Sequence, residues 1–350
     1  MADNPNWMSV LRDDVRLSEL SIPGTHQSVS FYGGGGVPRN LVKTQSMALR
    51  FQLESGIRVL DIRCAIAGNS FNIYHGNIYQ EENFDGILKT VVAFLKAHPR
   101  ETVLMRVKEE NTDDPGRFEE IFRNTYWNDD KYKAHLWNTW EGTPTNPTLG
   151  EMRGKIVILQ DFARGQCISP LPNPRYGICY NTFDNQDEHE VPGTAALYDK
   201  WLKVKKQLDR ANKGLEKGLN EDTKFMNYLS GVGTKGTLGV PHPYFVVSGH
   251  WDPATGADRV STEKSARWNP NVFPDFPRLP CFSYGRCIFY EGTNTLTYGA
   301  IRTGYYTKRV GIIMTDFPGK GLIERIICIN YEKTDALCKR LPPCTGPMCR

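Results

Sequence analysis

The sequence predicts a single-domain α/β fold, an irregular (β/α)8 barrel, on three observations. Short β-rich runs alternate with helical stretches from residue 15 to about residue 330, the pattern of βα units around a parallel sheet. Several of those runs are continuously apolar, as strands buried on both faces are. One link between neighbouring runs is too short for a crossover helix, so the barrel departs from ideality there. A length of 350 residues suits one large core, since α/β barrels commonly reach ~250 residues or more as one unit.

Eight candidate strands carry the barrel: RLSELSI (16–22), IRVLDIR (57–63), FNIYH (71–75), TVLMRVK (102–108), KIVILQD (155–161), GICYNTF (177–183), YFVVSGH (244–250) and VGIIMTD (310–316). Between them, residues 44–55, 84–98, 116–127 and 195–219 show apolar side chains at helical spacing. The second and third strands are joined only by CAIAGNS, which makes that pair antiparallel or irregular. A long connection rich in Pro, Gly and aromatic residues precedes Arg309, and long loops of this kind usually carry function or are disordered. Residues 11–330 form the expected barrel domain, followed by a Cys/Pro-rich tail, 331–350.

Composition excludes several classes. The net charge of +4 is mild, and the densest basic run, KWLKVKKQLDR, reads as the solvated face of a helix, so nucleic acid is not an expected partner. No run of about 18 apolar residues suggests a membrane span. The first ten residues lack a secretory signal, so the chain is expected to be cytosolic, or secreted if a signal preceded this numbering. Nine cysteines form no CxxC pair, which argues against a zinc ribbon. Cys281, Cys287, Cys328, Cys338, Cys344 and Cys349 can pair in an oxidising compartment, the odd total leaving one thiol free. The absence of an N-x-S/T acceptor favours the cytosol.

Polar residues end nearly every strand: His26 just past the first, Arg63, His75, Lys108 and Asp161 on the next four, and Asp316 on the last. In a (β/α)8 barrel this is the active-site face. A lone strand-end histidine is commonly structural, but this convergence of polar groups has no packing rationale. Two imidazoles can act as general base and general acid near neutrality. A carboxylate such as Asp316 can fix one ring's tautomer. Arginine and lysine offset negative charge, and guanidinium suits a phosphate. The chemistry indicated is acid–base phosphoryl transfer that needs no metal.

LSIPGTHQS, SGIRVLDIRC, IYHG, FLKAHPRETVLMRVKEE and VGIIMTDF resemble, in order and spacing, the X-domain motifs of phosphatidylinositol-specific phospholipase C, most closely the small single-domain bacterial type. The resemblance is strong through residue 110, fair at MRGKIVILQDF and around Asp316, and weak between. It implies an irregular TIM barrel that cleaves phosphatidylinositol to diacylglycerol and a cyclic inositol phosphate. By the same resemblance, His26 is the base for the inositol 2-hydroxyl, Asp316 its orienting carboxylate, His75 the acid for the diacylglycerol oxygen, and Arg63 the stabiliser of the phosphoryl oxygens. Asp187 and His189, in NQDEHEV, correspond to inositol contacts. Lys108 and Arg164 are further candidates for the head group, Arg164 fitting a surface arginine equally well.

The resemblance also implies that no Ca²⁺ is needed. Larger eukaryotic relatives hold Ca²⁺ with carboxylates, and hard cations need several oxygen ligands. Here Arg63 and Lys108 stand where two of those carboxylates would be; the competing reading is a weak surface ion site on Asp61, Glu109 and Glu110. Trp251, Trp268, Phe273 and Phe276, with Phe31 and Tyr32, fit either an apolar rim for a lipid surface or loop packing. The expected partner is thus a phosphatidylinositol-containing membrane surface, met peripherally by a monomer. One departure stands out: bacterial relatives usually have aspartate directly after the first histidine, whereas this chain has Gln27. That neutral amide motivates two alternatives, a weak or inactive lipid-binding pseudoenzyme and an enzyme for glycosylphosphatidylinositol anchors.

Overall fold

A computed structural model of the chain describes residues 3–34, 36–37, 39–111, 114–138, 145–162, 176–192, 196–216, 221–233, 242–248, 292–306, 308–331 and 338. Ten strands form one sheet: β1 (Ile22–Thr25), β2 (Val59–Ala67), β3 (Ser70–His75), β4 (Ile78–Asn83), β5 (Val103–Glu109), β6 (Ile156–Asp161), β7 (Ile178–Cys179), β8 (Asp184–Gln186), β9 (Phe225–Tyr228) and β10 (Ile312–Thr315). Eight of them run parallel in the order β7-β6-β5-β2-β1-β10-β9-β8. Read from β1, this is chain order around a barrel, with β1 closing on β10. Among the described residues the ring stays open between β7 and β8, which are joined through a 3-10 turn, Tyr180–Thr182. β3 leaves the ring by pairing antiparallel with β2, as the short CAIAGNS link requires, and β4 extends it as a hairpin.

Three strand expectations are corrected. Residues 17–19 form a 3-10 turn, Leu17–Glu19, and the first strand begins only at Ile22. The alternation of RLSELSI there reflects Leu17 and Leu20 buried beneath a turn. YFVVSGH is helical over Pro243–Ser248, and its last two residues lie outside the described set. A short apolar run does not by itself distinguish strand from helix, and proline suits the first helical turn, where its missing N–H costs no bond. The seventh expected position is filled by β9, whose four residues are all buried. GICYNTF is a strand only at Ile178–Cys179 before the chain turns.

Helices form where the spacing placed them, over Leu49–Ser55, Phe84–Ala97, Pro115–Ile121 with a π-turn to Trp127, and Leu197–Glu216. Thr293–Arg302 and Lys320–Cys328 add two that the sequence reading missed. The Phe84–Ala97 helix shows the physics: Asn83 caps it by accepting from the Gly86 N–H at 2.9 Å, and Phe84, Ile87, Leu88, Val91, Val92, Phe94 and Leu95 bury one face. Cys328 is disulfide-bonded to Cys338, and Cys64 is a buried free thiol. Cys281, Cys287, Cys344 and Cys349 lie outside the described residues.

Gly24 explains why β1 can lie so close to both neighbours. A Cβ there would stand 2.5 Å from Met314 Sδ and 2.9 Å from Val59 Cβ. These are the residues paired with Gly24 in β10 and β2. Gly24→Ala should therefore destabilise the fold by about 1–3 kcal/mol through overpacking. An unchanged urea midpoint would show that the strands have slack here.

Candidate active site

Parallel strands deliver their C-terminal ends to one face, and β1, β2, β5 and β10 place the predicted cluster there. The His26 N–H continues the β1–β10 ladder by donating to the Thr315 carbonyl at 2.9 Å. The chain then turns sharply. Gln27 takes a φ of +41°, a left-handed conformation uncommon outside glycine, and its N–H donates to Asp61 Oδ2 at 3.1 Å. Ser28 N–H donates to the Asp61 carbonyl at 3.0 Å. The catalytic-candidate turn is thus pinned to β2 by both the backbone and the side chain of Asp61.

His26 lies between a carboxylate and a guanidinium. Its Nδ1 is 2.9 Å from Asp316 Oδ1 and its Nε2 is 3.0 Å from an Arg63 terminal nitrogen. Guanidinium only donates, so Nε2 must offer its lone pair and the ring proton must sit on Nδ1, donated to Asp316. The edge of the ring meets Tyr228, centroid to centroid 5.9 Å. Burial pushes the Asp316 carboxyl up against the opposing pull of His26.

Arg63 in turn reaches Asp61 Oδ2 at 3.4 Å and Glu110 Oε1 at 3.8 Å. Burial alone would raise the Asp61 carboxyl, but Arg63 and Arg106 outweigh it and hold that group well below the usual carboxylate range. Arg106 contacts Asp61 at 3.4 Å, donates to Asp161 Oδ2 at 2.9 and 2.7 Å and to the Tyr228 hydroxyl at 3.0 Å, and stacks over Tyr180 at 4.0 Å. Of the three carboxylates considered for a surface ion site, Asp61 is not at the surface: it is 1% exposed and engaged by two guanidinium groups.

His75 ends β3, where its Nδ1 is 2.9 Å from Ser30 Oγ. Its imidazole is pushed down to about 3, first by burial, which disfavours the charged ring, and then by the neighbouring His26 ring and the Arg63 cation. Lys108 sits beside Arg63 in the β2–β5 register and reaches Glu110 at 3.6 Å. The Glu110 carboxylate also accepts from the Gly76 N–H at 3.2 Å, tying the turn after His75 to β5.

The sequence-predicted residues His26, Gln27, Arg63, His75 and Asp316 therefore meet, with Lys108 one residue out. Asp187 and His189 follow β8 at the same face, both exposed, with His189 Nδ1 3.5 Å from the Asp187 carbonyl. Buried Lys200 steadies that stretch by donating to the carbonyls of Glu188 at 2.8 Å and Tyr228 at 2.7 Å. Arg164, Trp251, Trp268, Phe273 and Phe276 lie outside the described residues. Phe31 is half-buried against the core, and Tyr32 is exposed.

Sequence reading missed Ser30, Gln45, Arg106, Tyr228 and Asn294. Gln45 Nε2 donates to the carbonyls of His26 at 2.8 Å and Thr315 at 3.0 Å, clasping the ends of β1 and β10. Asn294 Nδ2 donates to the Asp316 carbonyl at 2.9 Å. Only Arg106 left a signal, a charge inside an apolar strand, two residues from Lys108 and so on its face.

Comparison with known proteins agrees with this geometry. The profile of the phosphatidylinositol-specific phospholipase C X domain matches residues 20–161. The 1-phosphatidylinositol phosphodiesterase of Listeria monocytogenes is 32% identical over 233 residues, 64% of this chain and 67% of that protein. Its namesake from Staphylococcus aureus (strain Newman) is 33% identical over 243 residues, 64% of this chain and 74% of that protein. The solved phosphatidylinositol-specific phospholipase C from Listeria monocytogenes aligns with a TM-score of 0.67 at 26% identity, covering 95% of this chain and 100% of that one. With the motifs in register on one barrel face and relatives matched over two thirds or more of their length, the chain belongs to the phosphatidylinositol-specific phospholipase C X-domain family.

Proposed function

We propose that the protein is a phosphatidylinositol phosphodiesterase that works by two-histidine acid–base catalysis without a metal ion. The observation that carries this reading is His26 held between Asp316 and Arg63, a neutral imidazole with its lone pair on the nitrogen that faces a cation. When a phosphodiester enters, Arg63 turns from the ring to a phosphoryl oxygen and frees Nε2. That nitrogen takes the proton of the inositol 2-hydroxyl, whose oxygen attacks phosphorus. The bond from phosphorus to the diacylglycerol oxygen breaks, and His75 gives that oxygen a proton. The nucleophile belongs to the substrate, so the product is a cyclic inositol phosphate. Lys108, Asp187, His189 and Arg164 serve the head group in this scheme. The monomer meets the lipid surface peripherally, the exposed Tyr32 beside Phe31 offering apolar contact.

Each imidazole carries a separate proton transfer, typically worth about a hundredfold or more. His26→Ala and His75→Ala should each lower turnover of phosphatidylinositol by at least that factor while leaving the unfolding midpoint near that of the parent. Near-parental activity in either variant removes that ring from the scheme.

Arg63 supplies a built-in positive charge where carboxylate ligands would otherwise hold Ca²⁺. Cyclic phosphate formation, followed by phosphorus NMR, should proceed undiminished in excess chelator. Arg63→Asp should abolish most of it. Loss of activity on chelation in the parent protein would overturn the metal-free reading.

A second reading, a lipid-binding protein with weak turnover, is favoured by Gln27, whose side-chain Oε1 is buried without a hydrogen-bond partner. Burial keeps His75 neutral in the free protein, with no carboxylate at position 27 to offset it, and docking of the anionic phosphodiester must restore its proton. The sign for stability follows: below the ordinary 6.5 an unfolded His75 gains a proton that the folded one refuses until about 3. Stability from this group is therefore fully present above 6.5 and is lost as the pH falls toward 3. Gln27→Asp should raise the His75 titration seen by NMR, lessen that acid loss, and increase turnover severalfold. Binding with no turnover in either protein would favour the second reading.

A further inference from the structure

We propose that Ser30 is a positioning residue that fixes the tautomer of His75, so that the exchangeable proton of this ring is confined to Nε2. A hydroxyl has one proton and two lone pairs. Ser30 Oγ lies 2.9 Å from the Val42 carbonyl oxygen, which can only accept, so the hydroxyl proton is committed there. The contact of 2.9 Å between Ser30 Oγ and His75 Nδ1 must then be an N–H donated by the ring. The Val42 carbonyl also favours the charged form of the same imidazole.

Ser30 is itself immobilised. It is 2% exposed. Its N–H donates to the Gln27 carbonyl at 2.9 Å, and its own carbonyl accepts from Thr44 at 3.1 Å and Gln45 at 3.3 Å. These bonds fix the backbone from which the hydroxyl projects, and its own bond to the Val42 carbonyl holds the side chain in place. The Nδ1 proton stays in place whether His75 is neutral or charged, and only Nε2 gains and loses one.

The two rings thus differ in what their Nδ1 protons meet. His26 donates to a carboxylate, which adds negative charge and favours the imidazolium formed when a base accepts a proton. His75 donates to a hydroxyl, which orients the ring without adding charge and leaves the imidazolium readier to release its proton. This division rests on the assignment of His26 as base and His75 as acid in the proposed reaction.

Nitrogen-15 NMR of the imidazoles tests the inference apart from that reaction. In the free parent protein at neutral pH, His75 should show a protonated Nδ1 and an unprotonated Nε2. Ser30→Ala should convert it to a mixture of tautomers, Ser30→Thr should preserve the parent pattern, and the His26 signals report whether the turn has survived. With phosphatidylinositol, Ser30→Ala should lower kcat about tenfold or more with KM changed less than about twofold. The loss should vanish in a His75→Ala background. Should Ser30→Ala misfold, Ser30→Cys, with its weaker acceptor, should give an intermediate tautomer mixture. A His75 that keeps its Nδ1 proton in folded Ser30→Ala or Ser30→Cys overturns the proposal, because the Val42 carbonyl alone would then hold the ring. A tautomer shift with undiminished turnover upholds the role of Ser30 and instead overturns His75 as the acid.

Discussion

A carboxylate with no access to water, Asp61, governs the arrangement of this barrel mouth. Leaving such a charge unpaired in the interior costs several kcal/mol, so its neighbours are constrained to answer it. Asp61 Oδ1 draws Arg106 inward and Oδ2 draws Arg63 and the Gln27 N–H. Arg106 then holds Asp161 and Tyr228, and Arg63 is left beside His26. The left-handed Gln27 turn persists because one oxygen of a buried anion receives its N–H. Structural and chemical roles converge on the same atoms, and replacement of Asp61 by an apolar side chain would release the guanidinium groups along with the turn.

The barrel's parallel register does the rest. Parallel strands share a direction, so side chains that lie far apart in sequence reach one face at matching heights. Arg63 pairs with Lys108, and Lys108 with Asp161, across β2, β5 and β6. A strand's side-chain period of two explains why Asp61 and Arg63, like Arg106 and Lys108, share a face. One member of each pair is buried in the polar web and the other sits nearer the opening.

These relations mark what was legible in the sequence. IRVLDIR and TVLMRVK could be read as strands with polar ends because apolar burial on both faces leaves a continuous run, and the polar residues that interrupt it require a reason. His26, Arg63, His75 and Asp316 were found for that cause. β9 was not, because FMNY is short and mixed, and its burial comes from neighbours that sequence spacing does not reveal. PYFVVS looked like a strand because its apolar residues are contiguous; the direction in which its backbone turns is set by packing. Ser30 and Gln45 act through one or two hydrogen bonds each, and serines and glutamines making such bonds are indistinguishable in sequence from those facing solvent.

The pairing of β1 with β10 also bears on how the protein is made. The imidazole of His26 and the carboxylate of Asp316 are 290 residues apart in the chain. With synthesis at roughly 5–20 residues per second, the nascent polypeptide carries its first histidine for many seconds before the partner emerges from the ribosome. Until then β1 has an open edge on the side of β10, and the ring lacks the carboxylate that orients its proton. During this interval the chain carries His26 and Arg63 without the carboxylate that the finished fold sets beside the ring. The His26–Asp316 pair can form only once the last strand of the barrel has been made, so the order of synthesis places completion of this pair near the end.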